Sequence, residues 1–397
     1  MIARWSSLVA VVAVLNASSV RAADTLQYTG VGSCSANNCH GATQPAAKQG
    51  DADNTATIWS TKDHHAKAYT NLTNERLRSG FSPSKMVKAL KIDNAETSDK
   101  CLGCHAIDVP AARRGKKFDL ADGVGCESCH GAAEKWLEPH AKPKESNWSH
   151  AKSVESGMYD TLDLVQRAEK CVSCHLAIDH TLVNAGHPQP VFELEEYSLS
   201  MPKHWPAPFN KAREAGFFGP RAWATGQAIE LRDALSQLAK RTSSGAPARL
   251  VEDSWRQAWA HYAVLDHLVA KPAGLESAIK DRAKAAGAAK GAGAALEQLA
   301  RDLSKKEFDK DQTKSLLKAI AADGDSVSTV GVHAAAQVAF ALDVGYRAYS
   351  SADPANKKEI NAAIGKLFDD AGDPMKPETF KKEQFLKDQQ AVAAFFK

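Results

Sequence analysis

The chain has 397 residues, with 50 Lys and Arg against 47 Asp and Glu, and a formal net charge of +3. So close a balance supplies no basic stripe, and no nucleic-acid partner is expected. The total does not exclude local charged docking patches. Eight cysteines, none left over, and fourteen histidines carry most of the chemical information.

The N-terminus reads as residues 1–22 of a secretory signal peptide. Arg4 gives a positive start, an apolar run extends from Leu8 to Leu15, and Val20-Arg21-Ala22 places small residues around a cleavage position. The run is about half of what a bilayer span needs. No later stretch approaches ~18 apolar residues, so no transmembrane span is expected in the mature chain. The expected location is periplasmic or extracellular.

Residues 23–209 hold every cysteine and eleven of the fourteen histidines. They are rich in Gly, Pro, Asn and Asp and show little sustained hydrophobic periodicity. This predicts a loop-rich segment with short helices that packs on prosthetic groups. The first cysteine pair is Cys34 and Cys39, followed by His40. Next come Cys101-Leu102-Gly103-Cys104-His105, Cys126-Glu127-Ser128-Cys129-His130 and Cys171-Val172-Ser173-Cys174-His175. Cys-x-x-Cys-His is the attachment site of c-type haem. Two thiols add to the two vinyl groups, and the next histidine supplies the proximal iron ligand. The first site is expanded to four intervening residues, which still permits two thioethers if the loop bulges. A disulfide framework would not place histidine after the second cysteine four times out of four. Zinc ribbons use Cys-x-x-Cys pairs as well, but not this repeated trailing histidine. Four covalently bound c-type haems are expected.

The second axial positions need further ligands. His65, following Trp59-Ser60-Thr61-Lys62-Asp63, His140 in Glu138-Pro139-His140, and His187 in Ala185-Gly186-His187-Pro188 are the favoured candidates, and His180 is a fourth. His64, His150 and His204 are less distinctive. Met86, Met158 and Met201 have no context that singles one out.

The composition changes after the Pro-rich stretch from Met201 to Phe209. Residues 210–397 are Ala-, Leu- and Lys-rich. Ala228, Leu231, Leu235 and Leu238 recur at helical spacing, as do Leu316, Leu317 and Ile320 and the run from Val332 to Leu342. Breakers at Ser243-Ser244-Gly245, Lys271-Pro272, Asp323-Gly324 and Asp353-Pro354 divide about five to seven helices. Ala285 to Ala295 is expected to be a solvated helix or loop. His261, His267 and His333 read as ordinary helix histidines. The fold class is mainly α: a loop-rich multihaem segment followed by a C-terminal helical bundle that binds no cofactor.

The residues from Trp59 to Leu72, the segment Gly123 to Gly131, His140 ten residues beyond His130, and Cys171 to Leu176 together resemble the cytochrome c-554 family. Its members are tetrahaem carriers that take electrons from hydroxylamine oxidoreductase in ammonia-oxidising bacteria. The resemblance covers roughly residues 30 to 180. It implies a mainly helical fold with closely packed haem pairs, and ligation by His65 and His140 of haems other than their sequence neighbours. It also implies a five-coordinate haem at Cys101, Cys104 and His105. The expanded first site, the Ala-Gly-His-Pro element and the helical half depart from the family pattern, and an extra histidine could fill the position left open there.

The expected function is electron transfer between redox partner proteins: other cytochromes, quinol-linked complexes or oxidoreductases. One alternative is a multihaem oxidoreductase acting on a small nitrogen or sulfur species at an open iron, with His64, Lys62, Asp63 and Arg113-Arg114 as helpers. A second is a subunit of an extracellular conducting filament. An oligomer is compatible with all three.

Overall fold

The computed structural model describes residues 25–44, 54–76, 81–142, 145, 147–203, 217–268, 272, 274–374 and 376–396. Residues 1–22, expected to be a signal peptide, His204 and most of the Pro-rich stretch lie outside them. The fold is mainly helical, and no strand occurs among the described residues.

The first half is a series of short helices joined by loops. They are α1 (Thr55–Lys62), α2 (Pro83–Leu90), α3 (Asp99–His105), α4 (Cys126–His130), α5 (Leu137–Ala141), α6 (His150–Glu155), α7 (Leu164–His175), α8 (His180–Asn184) and α9 (Leu194–Ser200). Most are too short to be stable alone. Side-chain caps start several of them. Ser82 accepts from the Lys85 amide, and Asp163 accepts from the amides of Val165 and Gln166 at 2.8 and 3.1 Å. Among the described residues, the one apolar cluster built wholly from the segment before α7 is small: Leu72, Ala95, Leu102 and Ala106.

Nine helices follow among the described residues: α10 (Phe218–Ser243), α11 (Ala248–Asp266), α12 (Leu275–Ile279), α13 (Arg282–Lys305), α14 (Lys310–Ala322), α15 (Gly324–Val330), α16 (Val332–Ala352), α17 (Lys357–Ala371) and α18 (Lys382–Ala394). The breakers at 243–245, 323–324 and 353–354 fall between helices. The chain turns after α10 through Gly245 at φ +68°, a left-handed conformation that glycine adopts without a Cβ penalty. α10 is the axis of this half. Trp223, Ile229, Leu231, Leu235 and Leu238 are buried, and α11, α13 and α16 pack around them. The Ala-rich stretch expected to be solvated is the middle of α13. Its small residues let α13 lie close along α10, which buries Ala285 and Ala292.

The main core also reaches back across the Pro-rich stretch. Val165, Ala168 and Val172 sit at spacings of three and four on α7 and, with Leu176, Phe192 and Leu194, join the cluster centred on α10. The fourth cysteine pair is therefore carried on a helix packed into the bundle. α9 approaches α10 at Gly226, where a Cβ would meet the Leu194 side chain at 2.7 Å.

Candidate haem sites

Each strict motif ends a helix on its histidine: α3 at His105, α4 at His130 and α7 at His175. Helical geometry puts cysteines three residues apart on one face, with the histidine beside them. The expanded site does the same by a different route. Ser35, Ala36, Asn37 and Asn38 are all exposed. The Cys39 amide donates to the Ala36 carbonyl at 2.8 Å and the His40 amide to the Cys34 carbonyl at 3.1 Å. The extra residues bulge into solvent, and the chain closes behind them. None of the eight cysteines is in a disulfide. Among the described residues no group of three or more His, Cys, Asp and Glu could hold a metal ion by itself.

The cysteines also meet across sites. The thiols of Cys34 and Cys126 lie within electrostatic reach of one another, as do those of Cys104 and Cys174. The first pair is fastened by Glu127, buried inside the third motif. Its carboxylate accepts from the amides of Thr29, Gly30 and Ala133 at 2.8, 2.7 and 2.7 Å. Gly30 sits at φ +86°, and a Cβ there would lie 2.0 Å from the Lys117 carbonyl oxygen. Sequence reasoning missed Glu127; an acid between attachment cysteines was its only signal.

Three histidines expected as distal ligands each face a proximal histidine from a different motif. The ring centroids of His40 and His140 are 6.2 Å apart, those of His65 and His175 are 6.2 Å apart, and those of His105 and His187 are 6.1 Å apart. With metal–imidazole bonds of about 2.0 Å and a ring centre roughly 1.1 Å behind its nitrogen, two imidazoles trans on one metal have centroids about 6.2 Å apart. The observed gaps match that separation, at the wide end of the 4.5–7 Å over which rings also pack on one another.

Hydrogen bonds orient these rings. His105 Nδ1 lies 2.7 Å from the Ala68 carbonyl, His187 Nδ1 2.7 Å from the Pro188 carbonyl, and His65 Nδ1 2.9 Å from Asp63 Oδ1. His140 Nδ1 is held by the Leu137 carbonyl and, at 3.2 Å, by that of Trp136. Donating Nδ1–H to these acceptors leaves the Nε2 lone pair for a metal, the usual outer-shell arrangement of ligating histidines. His150, His267 and His333 show the opposite pattern, with Nε2 engaged by Asp160, Asp323 and Asp253. They are ordinary histidines by this measure. The Asp63 carboxylate also holds the His65 pKa above its ordinary value, while burial pushes His175 down to about 4 and lowers His187.

Other candidates are placed differently. His180 begins α8 with Nδ1 3.7 Å from Asp179, and it is not in any of the three ring pairs. His130 ends α4, its carbonyl accepting from the Tyr159 amide at 2.8 Å. His64 and Lys62 are exposed. Arg113 and Arg114 spend their Nε–H groups on the carbonyls of Leu26 and Val109, which is a structural use. The expectation of an open position at His105 meets His187 instead. The residues that clasp His175 were also missed: Phe192 stacks on its ring at 5.0 Å, and Tyr197 meets it edge-on at 5.3 Å. Nothing in their local sequence marked them.

Paired attachment cysteines, trailing histidines and opposed imidazoles define a c-type cytochrome, a protein of electron transfer with covalently bound haem. Residues 33–131, about a quarter of the chain, match the family described as cytochrome c554 and c-prime. That segment is of the cytochrome c-554 family. No curated protein and no solved structure gives a match to the chain. No helix among the described residues is long and apolar enough to cross a membrane.

Proposed function

We propose that the chain is an exported tetrahaem cytochrome that relays electrons between redox proteins outside the cytoplasm. The observation that carries this reading is the set of three opposed histidine pairs at 6.1–6.2 Å. Cys34, Cys39 and His40 would hold one haem, with His140 opposite. Cys101, Cys104 and His105 would hold a second, with His187 opposite. Cys126, Cys129 and His130 would hold the third, and Cys171, Cys174 and His175 would hold the fourth, with His65 opposite. When bound, each group supplies a one-electron iron couple, and imidazole on both sides favours a lower potential than a Met ligand.

The polypeptide keeps His65, His105, His140 and His187 fixed as charge changes. Asp63 and the carbonyls of Ala68, Leu137 and Pro188 hold Nδ1, so Nε2 does not reorient. The proximity of Cys34 to Cys126 and of Cys104 to Cys174 favours two close pairs of sites, the first with the third and the second with the fourth. Residues 23–209 are the proposed haem-bearing part. Residues 210–397 bind none and brace the fourth site through α7. Because His187 faces His105, the arrangement favours a relay over a catalyst with an open iron at that site.

The intact mass of protein matured in an exporting host tests the reading. It should exceed the polypeptide by four haems. Three would exclude the expanded site, and none would overturn the function.

A further inference from the structure

Behind the clasp on His175 lies a group of buried acids that electron relay as described does not use. Glu193 follows Phe192 directly, and Glu230 projects from α10; both are 0% exposed. Glu230 Oε1 accepts from the Leu194 amide at 2.8 Å. Glu193 accepts from the amides of Glu195 and Glu196 at 3.0 and 2.6 Å. Neither carboxyl is paired with Lys or Arg among the described residues. A buried carboxylate without a cation is costly, so such groups hold protons at pH values where exposed acids are ionised. Burial pushes Glu193 up to about 8 and Glu230 well above its ordinary value, each also raised by acidic neighbours.

The surroundings connect this pair both to the fourth site and to solvent. From α10 itself Asp233 adds negative charge to Glu230, and Asp233 is in turn paired with Arg232. From α7, Cys171 lies within electrostatic reach of Glu230, as does Tyr197 of α9. From α11, His261 Nδ1 is 3.3 Å from Glu230 Oε2 and 2.9 Å from Gln227 Oε1. His261 is kept neutral by burial and by His333. Gln227 donates to Gln337 of α16 at 2.9 Å, and Gln337 donates to the Phe192 carbonyl at 3.0 Å. This chain of hydrogen bonds therefore ends on the residue whose ring stacks on His175. On the outer side, Glu196 is partly exposed and lies within electrostatic reach of Asp343, which Arg347 holds. Its backbone amide donates to Glu193, so a partly exposed acid adjoins the buried pair.

Given the proposed haem at Cys171, Cys174 and His175, we propose that the Glu193–Glu230 carboxyl pair is a proton site coupled to it. On one-electron reduction of the group that Cys171, Cys174 and His175 would hold, a carboxylate oxygen of the pair would take up one proton from solvent. When the electron leaves, the proton returns to solvent. The physical reason is that an added electron lowers the positive charge near the acids, and a low-dielectric interior screens the change weakly. Two adjacent buried carboxyls titrate as a unit, so the site belongs to the pair. The cytochrome then carries a proton with one of its electrons.

Spectroelectrochemical titration of the full, haem-loaded protein between pH 6 and 9 tests this. One haem should show a midpoint potential that falls as pH rises, by at most about 59 mV for each tenfold drop in proton concentration. Glu230→Gln, and separately Glu193→Gln, should flatten that slope and leave the other haems unchanged. A reduced-minus-oxidised infrared spectrum of the unmodified protein should show a protonated carboxyl band that grows on reduction, so the test survives if either variant fails to fold. A slope retained in both variants, or no carboxyl band, would overturn the proposal. Haem mass and spin state measured on the same samples separate that result from failure of the tetrahaem reading.

Discussion

The two halves of this chain solve the folding problem differently. Between Phe218 and Ala394, long helices bury Leu, Ile, Ala and aromatic side chains in one continuous cluster, and α10 is enclosed along most of its length. Before α7 the only separate apolar cluster among the described residues has four buried members. Order there comes from helix caps, from Glu127, and from ring nitrogens fastened to carbonyls. Such a segment has too little apolar burial to offset its conformational entropy. Prosthetic groups covered on both faces by histidines would supply the missing core. The comparison teaches that cysteine position and core membership need not share a boundary, because α7 carries cysteines of one half and apolar residues of the other.

The largest break in this comparison should come from withholding haem. Protein made where haem is not attached should lose protection over residues 25–160 and keep a helical, protected 218–394. Hydrogen exchange read by mass spectrometry checks this; equal protection in both halves would show that the first half has a core of its own.

Next in size is truncation of the core. Leu235→Ala should destabilise the bundle by about 2–5 kcal/mol, seen as a lower denaturation midpoint followed by helical circular dichroism. Leu72→Ala, in the small cluster, should cost less in the haem-loaded protein. The reverse order would mean that the bundle is not the main source of stability.

A smaller and local effect is expected at the ligands. His187→Ala should turn one low-spin haem high-spin and admit carbon monoxide at that iron, with the haem count unchanged. Spectra identical to the parent would remove His187 from the ligand set. The mildest change should be Asp63→Asn. Loss of the carboxylate partner weakens the donor strength of His65, so the potential of one haem should rise while its spin state stays low.

Much of this was legible in the residues. The candidate attachment sites stand out because paired cysteines followed at once by histidine recur four times. The helical half was legible from its period and its breakers. His140 and His187 could be nominated, yet their partners could not be read from spacing, since each ring faces a histidine far away in sequence. Phe192, Tyr197, Glu193 and Glu230 were invisible for the same reason: their role arises only where α9 docks on α10. The Ala-rich part of α13 is helical and largely open to solvent, as its composition suggested, with only Ala285 and Ala292 buried. The family resemblance suggested an open iron at His105, and the added Ala-Gly-His-Pro element brings a ring to that side.

Electron paramagnetic resonance of the fully oxidised protein tests the pairing of histidines most directly. The ring planes of His40 and His140 are 6° apart, whereas those of His65 with His175 and His105 with His187 are 89° and 85° apart. Parallel imidazole planes split the iron d orbitals and give a rhombic low-spin signal. Perpendicular planes leave two orbitals nearly degenerate and give a strongly anisotropic low-spin signal with a large maximum g value. The account predicts one rhombic and two strongly anisotropic low-spin signals from these three irons, apart from whatever the fourth contributes. Two or more high-spin irons, or low-spin signals that are all rhombic, would contradict it.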